Sequence, residues 1–332
     1  MSTNPGIELG QGREELLPFD FPVSLAFADD GTMYVSERLS GRLFEVRDGS
    51  RRLVHEFRVP HLEMHSETGQ IGLALDPDFA NNRSIYVYHT VQEFEDPWHN
   101  RNSRVNVDSG EEEVIANLPA GQLHNGGIMA FGPDGKLYVG IGEFMKPPLA
   151  QVKDYPAGKE LRLNRDGSIP DDTPFPGSYT YSYGHRNIFG LAFHPTTGRL
   201  YECDIGPDHD DEINIIQKGG NYGWPIVTGK ARRSEFVDPI YSFKIVVTPT
   251  QCVFANEREL YVGSFNFGEV YRLTLGGPDF SQVVKHEIVY ADRPFGTIGT
   301  FISPRGDFFI TRPEGVVRVR LQPPQPYDRA VE

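Results

Sequence analysis

One short pattern of apolar and polar positions recurs along the chain. It reads SLAFADDGTMYV (24–35), GLALDPDFANNRSIYV (72–87), IMAFGPDGKLYV (128–139), GLAFHPTTGRLYE (190–202), QCVFANERELYV (251–262) and GTFISPRGDFFI (299–310). Each copy predicts a strand, a reversal and a second strand. The apolar run supplies the first strand, Asp-Gly, Thr-Gly or Asn-Glu the turn, and a Leu-Tyr-Val type run the return. Aligned on Tyr34, Tyr86, Tyr138, Tyr201, Tyr261 and Phe309, the copies recur every 48 to 63 residues. A unit of that size makes one four-stranded sheet, which buries its faces only by stacking on neighbours around an axis. Outer strands are expected at SGRLFEVRDG (40–49), FGEVYRLTL (267–275) and EGVVRVRLQ (314–322), where apolar and polar residues alternate.

No long segment shows a helical period. The expectation is an all-β fold, a six-bladed β-propeller of four-stranded antiparallel blades. A jelly roll or a pair of stacked sandwiches would not predict the recurrence. The propeller is expected over 21–322, with a closing extension at 1–20 and a tail at 323–332.

Composition narrows the partners. The net charge of -14, from 32 basic and 46 acidic residues, disfavours nucleic acid and anionic membrane. It leaves small polar molecules and cations as ligands. No run approaches a membrane-spanning length. The N-terminus shows no basic segment followed by an apolar one, so a cytoplasmic protein is expected, monomeric or homodimeric. Cys203 and Cys252 are expected reduced and buried.

In a propeller, loops that enter or leave the inner strands line the mouth of the central channel. Three polar clusters sit at such places: LHNGG (123–127), YGHRN (183–187) and DIGPDHDDEIN (204–214). His124 offers an imidazole that exchanges a proton near neutral pH, or else a side chain that pins a loop carbonyl. Gly126 and Gly127 permit close approach to the backbone. Arg186 presents a planar fork of donors, and Asn187 both a donor and an acceptor, suited to anionic oxygens or to stapling two blades. The run GPDHDDE (206–212) is an oxygen-rich turn that suits calcium or simply a solvated acidic loop. HLEMHSE (61–67) alternates His and Glu, the ligand types of zinc or iron, in a pattern that an exposed edge strand also shows.

Taken together, LHNGGIMAFGPDGKLYVGIGE, GKELRLNRDGSIP, YSYGHRNIFGLAFHPTTGRLY, GPDHDDEINII and GGNYGWP resemble the consecutive motifs of the glucose/sorbosone dehydrogenase family. These are soluble aldose sugar dehydrogenases dependent on pyrroloquinoline quinone (PQQ), and the likeness runs from about Phe21 to Leu321. The resemblance implies a six-bladed propeller in which His124 is the general base that takes the proton of a sugar hydroxyl. It assigns Arg186 and Asn187 to the quinone oxygens and Gly206 and Pro207 to calcium, with Asp211 and Glu212 as the acidic pair behind. Glu67 falls at a polar position near the substrate.

The likeness lapses where the family meets the carboxylates of PQQ with cations. Gly296, Thr297, Ile298 and Gly299 replace a segment that carries two arginines, GSFNFGE (263–269) lacks a basic residue, and Ile188 and Phe189 follow GHRN in place of Pro-Gln. Lys244, Arg293 and Arg312 are the cations that would have to compensate. The leading expectation is therefore a PQQ- and calcium-dependent sugar oxidoreductase. The alternatives are a PQQ-independent lyase, isomerase or hydrolase built on His124, Arg186 and the metal turn, and a non-catalytic binding propeller.

Overall fold

The computed structural model describes residues 13–60, 66–92, 98–292, 296–321 and 325–326. Each of the six sequence copies folds as the inner hairpin of one blade. The inner strands are Pro22–Phe27, Gln70–Leu75, Ile128–Phe131, Ile188–Phe193, Pro249–Phe254 and Gly299–Ile302. Each packs on the next, and the sixth returns to the first, so the ring is closed. Four blades are free-standing four-stranded sheets. The fifth and sixth meet at a single parallel contact, Gln251 to Gly299, which joins them into one larger sheet. Blade 6 takes its outer strand from the start of the chain: Arg13–Pro18 pairs antiparallel with Gly315–Val319. Gln325–Pro326 adds to the outer strand of blade 5, Gln282–Ala291.

The repeated aromatic explains why the pattern recurs. Tyr34 meets Phe79, Tyr86 meets Phe131, Tyr138 meets Phe193, Tyr201 meets Phe254, Tyr261 meets Phe308, and Phe309 meets Phe27, with ring centroids 5.0 to 5.5 Å apart. Each pair joins one blade to the following one. Tilted and edge-on rings at this spacing add roughly 0.5–1.5 kcal/mol each beyond their buried area. The second copy departs from the expected tight turn. Its linker DPDFANNR is long enough to wind a single helical turn, Phe79–Asn82, which presents Phe79 to Tyr34.

The outer strands are more buried than simple alternation predicts. In Glu269–Gly276 only Arg272 and Thr274 are partly exposed, because neighbouring blades cover both faces. Cys203 and Cys252 are buried and unbridged. Among the described residues, no helix is long and apolar enough to cross a membrane.

Candidate active site

Antiparallel pairing brings the start of every inner strand beside the end of the next strand: Ile128 faces Gly140, Ile188 faces Asp204, and Pro249 faces Ser264. Residues just before the inner strands and just after the second strands therefore share one mouth. His124, Arg186, Asn187, Glu67, the 206–212 turn and Lys244 all lie in such segments.

His124 sits in a loop with φ of +55°. Its backbone N–H donates to Glu67 Oε2 at 2.7 Å, and its Nδ1 lies 2.5 Å from Glu143 Oε1. Glu143 is almost fully buried. With Nδ1 occupied by a carboxylate, Nε2 is the nitrogen left to exchange a proton, and the pair orients the ring. The two glycines after Asn125 serve close packing. A Cβ on Gly127 would lie 2.3 Å from the Tyr88 ring, and the residue's φ is +102°.

Asn187 Nδ2 donates to both oxygens of Glu67, at 3.3 and 3.1 Å, so one carboxylate ties the third blade's entry to the fourth's. Asp204 accepts the backbone N–H groups of Arg186 (2.9 Å) and Asn187 (2.7 Å). The Arg186 guanidinium donates to Ile205 O at 3.0 Å and lies 5.5 Å over the Trp224 ring. Trp224 reaches the mouth on the 216–240 loop, anchored by its N–H to Gly184 O. A cleft here is lined by Arg186, Asp204, Gly206, Pro207, Glu212 and Trp224. His185 does not line it and is fully buried.

Within the acidic turn the carboxylates do different work. Asp211 uses both oxygens on the backbone, accepting from Gly206 N at 2.7 Å and from Val247 N and Thr248 N at 2.7 and 2.8 Å. It fixes the shape of the turn. Glu212 accepts Gly229 N at 2.7 Å and stands directly opposite Asp204 across the strands. Burial pushes its carboxyl up to about 8, with Asp204 and Glu202 adding repulsion. Asp204 is raised to about 6 by burial, then by Glu202. Buried acids that face one another and repel one another mark a place where a cation is favoured.

Lys244 pairs with Asp210 at 2.5 Å on the same turn. Arg312 is sealed at 1% exposure between Asp292 and Glu314. Thr297 is buried, its carbonyl accepting from Thr250 Oγ1, and Gly296 abuts the Phe265 ring. His61, Glu63, His65 and Arg293 lie outside the described residues; Glu67, from the same HLEMHSE run, is in the mouth.

Sequence reasoning overlooked Glu143, Asp204, Trp224 and Arg38. Arg38 packs over the Phe21 ring at 4.3 Å and is felt electrostatically by Glu67. The signal was positional: Arg38, Glu143 and Gly206 all follow the second strand of a repeat, where the chain emerges at the mouth.

The family model described as Glucose / Sorbosone dehydrogenase matches residues 19–294. Quinoprotein glucose dehydrogenase B of Acinetobacter calcoaceticus is 36% identical over 259 residues, which take in 67% of this chain and 53% of that protein, so this chain spans about half the length of that relative. Aldose sugar dehydrogenase YliI of Escherichia coli is 33% identical over 250 residues, 71% of this chain and 67% of that one. The PQQ-bound aldose sugar dehydrogenase from Streptomyces coelicolor superposes with a TM-score of 0.82 at 28% identity, covering 93% of this chain and 97% of that one.

Proposed function

Because the chain belongs to the glucose/sorbosone dehydrogenase family, we propose that it oxidises the anomeric hydroxyl of an aldose or similar polyol at this mouth, with PQQ and calcium as cofactors. The observation that carries the reading is the His124–Glu143 pair. It is an imidazole fixed by a buried carboxylate at the channel entrance, with Nε2 left as the base.

The residues around the cleft fit a quinone face. Asn187 Oδ1 and Trp224 Nε1 are buried polar atoms without a hydrogen-bond partner, and the Arg186 guanidinium lies over the Trp224 ring. Arg186 and Asn187 would hold the quinone oxygens, and the Gly206 and Pro207 carbonyls, with Glu212 behind, would hold calcium. The quinone, when bound, supplies the acceptor for the hydride. The chain's own part is to remove the hydroxyl proton at His124 Nε2, keep the imidazole oriented through Glu143, and hold Arg186 toward developing negative charge.

One observation favours the PQQ-independent reading. No cation stands at Thr297 or Gly299, Lys244 is occupied by Asp210, and Arg312 is closed off. An ionised carboxylate buried without a partner costs several kcal/mol.

The deciding experiment supplies the purified protein with PQQ and calcium, then follows dye reduction with aldoses alongside PQQ binding by calorimetry. The sugar-oxidase reading expects binding and turnover, with His124→Ala lowering kcat about 10²- to 10⁴-fold at unchanged PQQ affinity. Absence of both binding and turnover rejects it in favour of a quinone-free enzyme.

A further inference from the structure

Between blades 3 and 4 lies a second cluster, which shares only Asp204 with the cleft. His185, Glu202 and Asp204 each offer one ligand atom, and these atoms all lie within 4.8 Å of one another. His185 and Glu202 are completely buried and Asp204 is 5% exposed. His185 Nδ1 approaches Glu202 Oε1 to 2.8 Å and Asp204 Oδ2 to 3.8 Å. The 2.8 Å approach does not have hydrogen-bond geometry, and Nδ1 and both Glu202 oxygens are without a hydrogen-bond partner. Asn214, opposite Glu202 across the strands, donates its amide nitrogen to Glu212 Oε2 at 3.2 Å. A further buried carboxylate, Glu160, is electrostatically coupled to Glu202 and also lacks a hydrogen-bond partner on either oxygen.

Glu202 and Glu160 are therefore buried carboxylates without a hydrogen-bond partner, Glu202 beside the His185 imidazole, an arrangement that costs folding free energy unless a proton or a cation completes it. The surroundings are those of a prepared ligand set. Ser182 Oγ lies 2.8 Å from His185 Nε2, which gives the far ring nitrogen its partner and leaves Nδ1 facing the carboxylates. Tyr222 stacks on the imidazole at 4.5 Å. Asp204 is held by two backbone N–H groups, from Arg186 and Asn187. Ligating histidines and carboxylates are oriented by this kind of outer partner.

We propose that His185, Glu202 and Asp204 bind a divalent transition cation of the zinc or manganese class. One imidazole with two carboxylates suits such an ion better than calcium, which takes six to eight oxygens. The site shares Asp204 with the cleft beside the Gly206–Pro207 turn, but it does not rest on sugar oxidation. Through Asp204 the ion fixes the backbone of Arg186 and Asn187, so its loading sets the geometry of the mouth.

The test is metal content by elemental analysis after growth with added zinc or manganese and dialysis, repeated with cobalt for its visible absorption. About one equivalent per chain is expected. It should fall at least about tenfold in His185→Gln and in Glu202→Gln, while Glu212→Gln retains it. Anomalous diffraction from wild-type crystals decides the matter if either variant fails to fold. A peak bonded to the three side chains supports the site. A metal-free wild type whose map shows only water there overturns it, as does an equivalent that survives both substitutions. Because the readout is metal and not turnover, its failure is distinguishable from failure of the sugar-oxidase reading.

Discussion

An imidazole gains most as a base when something fixes which of its nitrogens carries the lone pair. In this protein that partner is Glu143, 2.5 Å from His124 Nδ1 and almost fully buried. Glu143→Gln keeps the size but removes the charge that steadies the protonated ring. Turnover should drop about 100-fold with KM near the wild-type value, and Glu143→Asp should recover part of it; steady-state kinetics on both variants check this. His124 and Arg186 could be singled out in the sequence, and placed at the mouth, because their neighbours are distinctive. Glu143 was not, since GIGE looks like the end of a strand and its pairing with His124 spans 19 residues. Contacts made through space by a single side chain leave no local pattern.

At the scale of elements, the acidic turn shows how a carboxylate can act on structure more than on a ligand. Asp211 holds Gly206, Val247 and Thr248 by their backbone N–H groups, so it positions both the 206–212 turn and the entry to blade 5. Losing three charge-assisted bonds in Asp211→Ala should cost about 3 kcal/mol or more, read from the midpoint of urea unfolding. The sequence marked the turn as oxygen-rich without separating this role from that of Glu212, because both residues are acids one position apart.

The seam between blades 1 and 2 was invisible in the sequence. His55 Nε2 lies 3.2 Å from Glu112 Oε2, and His89 Nε2 lies 3.7 Å from the other oxygen. The Glu112 hydrogen bond raises His55, and His55 first, then His89, holds Glu112 far below the ordinary carboxylate range. The raised His55 contributes stability that is full below 6.5 and is lost as pH rises through its folded value. The depressed Glu112 contributes above 4.5 and loses this as pH falls. Glu112→Gln should therefore lower stability most between those limits. The expected deficit is about 0.5–1 kcal/mol near pH 6, shrinking by pH 8.5, because solvent still screens a partly exposed pair; melting curves at the two pH values test it.

For the whole molecule, the blade count was readable because each copy must present an aromatic to its neighbour, and that requirement repeats at a fixed place in every hairpin. Ring closure was harder to read. Arg13–Pro18 shows little alternation, and only its pairing with Gly315–Val319 reveals it as the outer strand of blade 6. Removing residues 1–18 would expose that edge and undo the closure, so a drop in Tm of several degrees and an increased tendency to associate are expected, measured by calorimetry and light scattering.

That borrowed strand also bears on how the protein is made. The 13–18 strand is synthesised well before the blade 6 strands it completes, so on the ribosome it stays unmatched until residues 299–319 emerge. Late closure of this kind means slow, long-range assembly, with a free edge open to other chains until that blade is made. A permuted gene that begins just before residue 299 and carries the 13–18 strand directly after 319 would turn the last, most distant pairing into a local one.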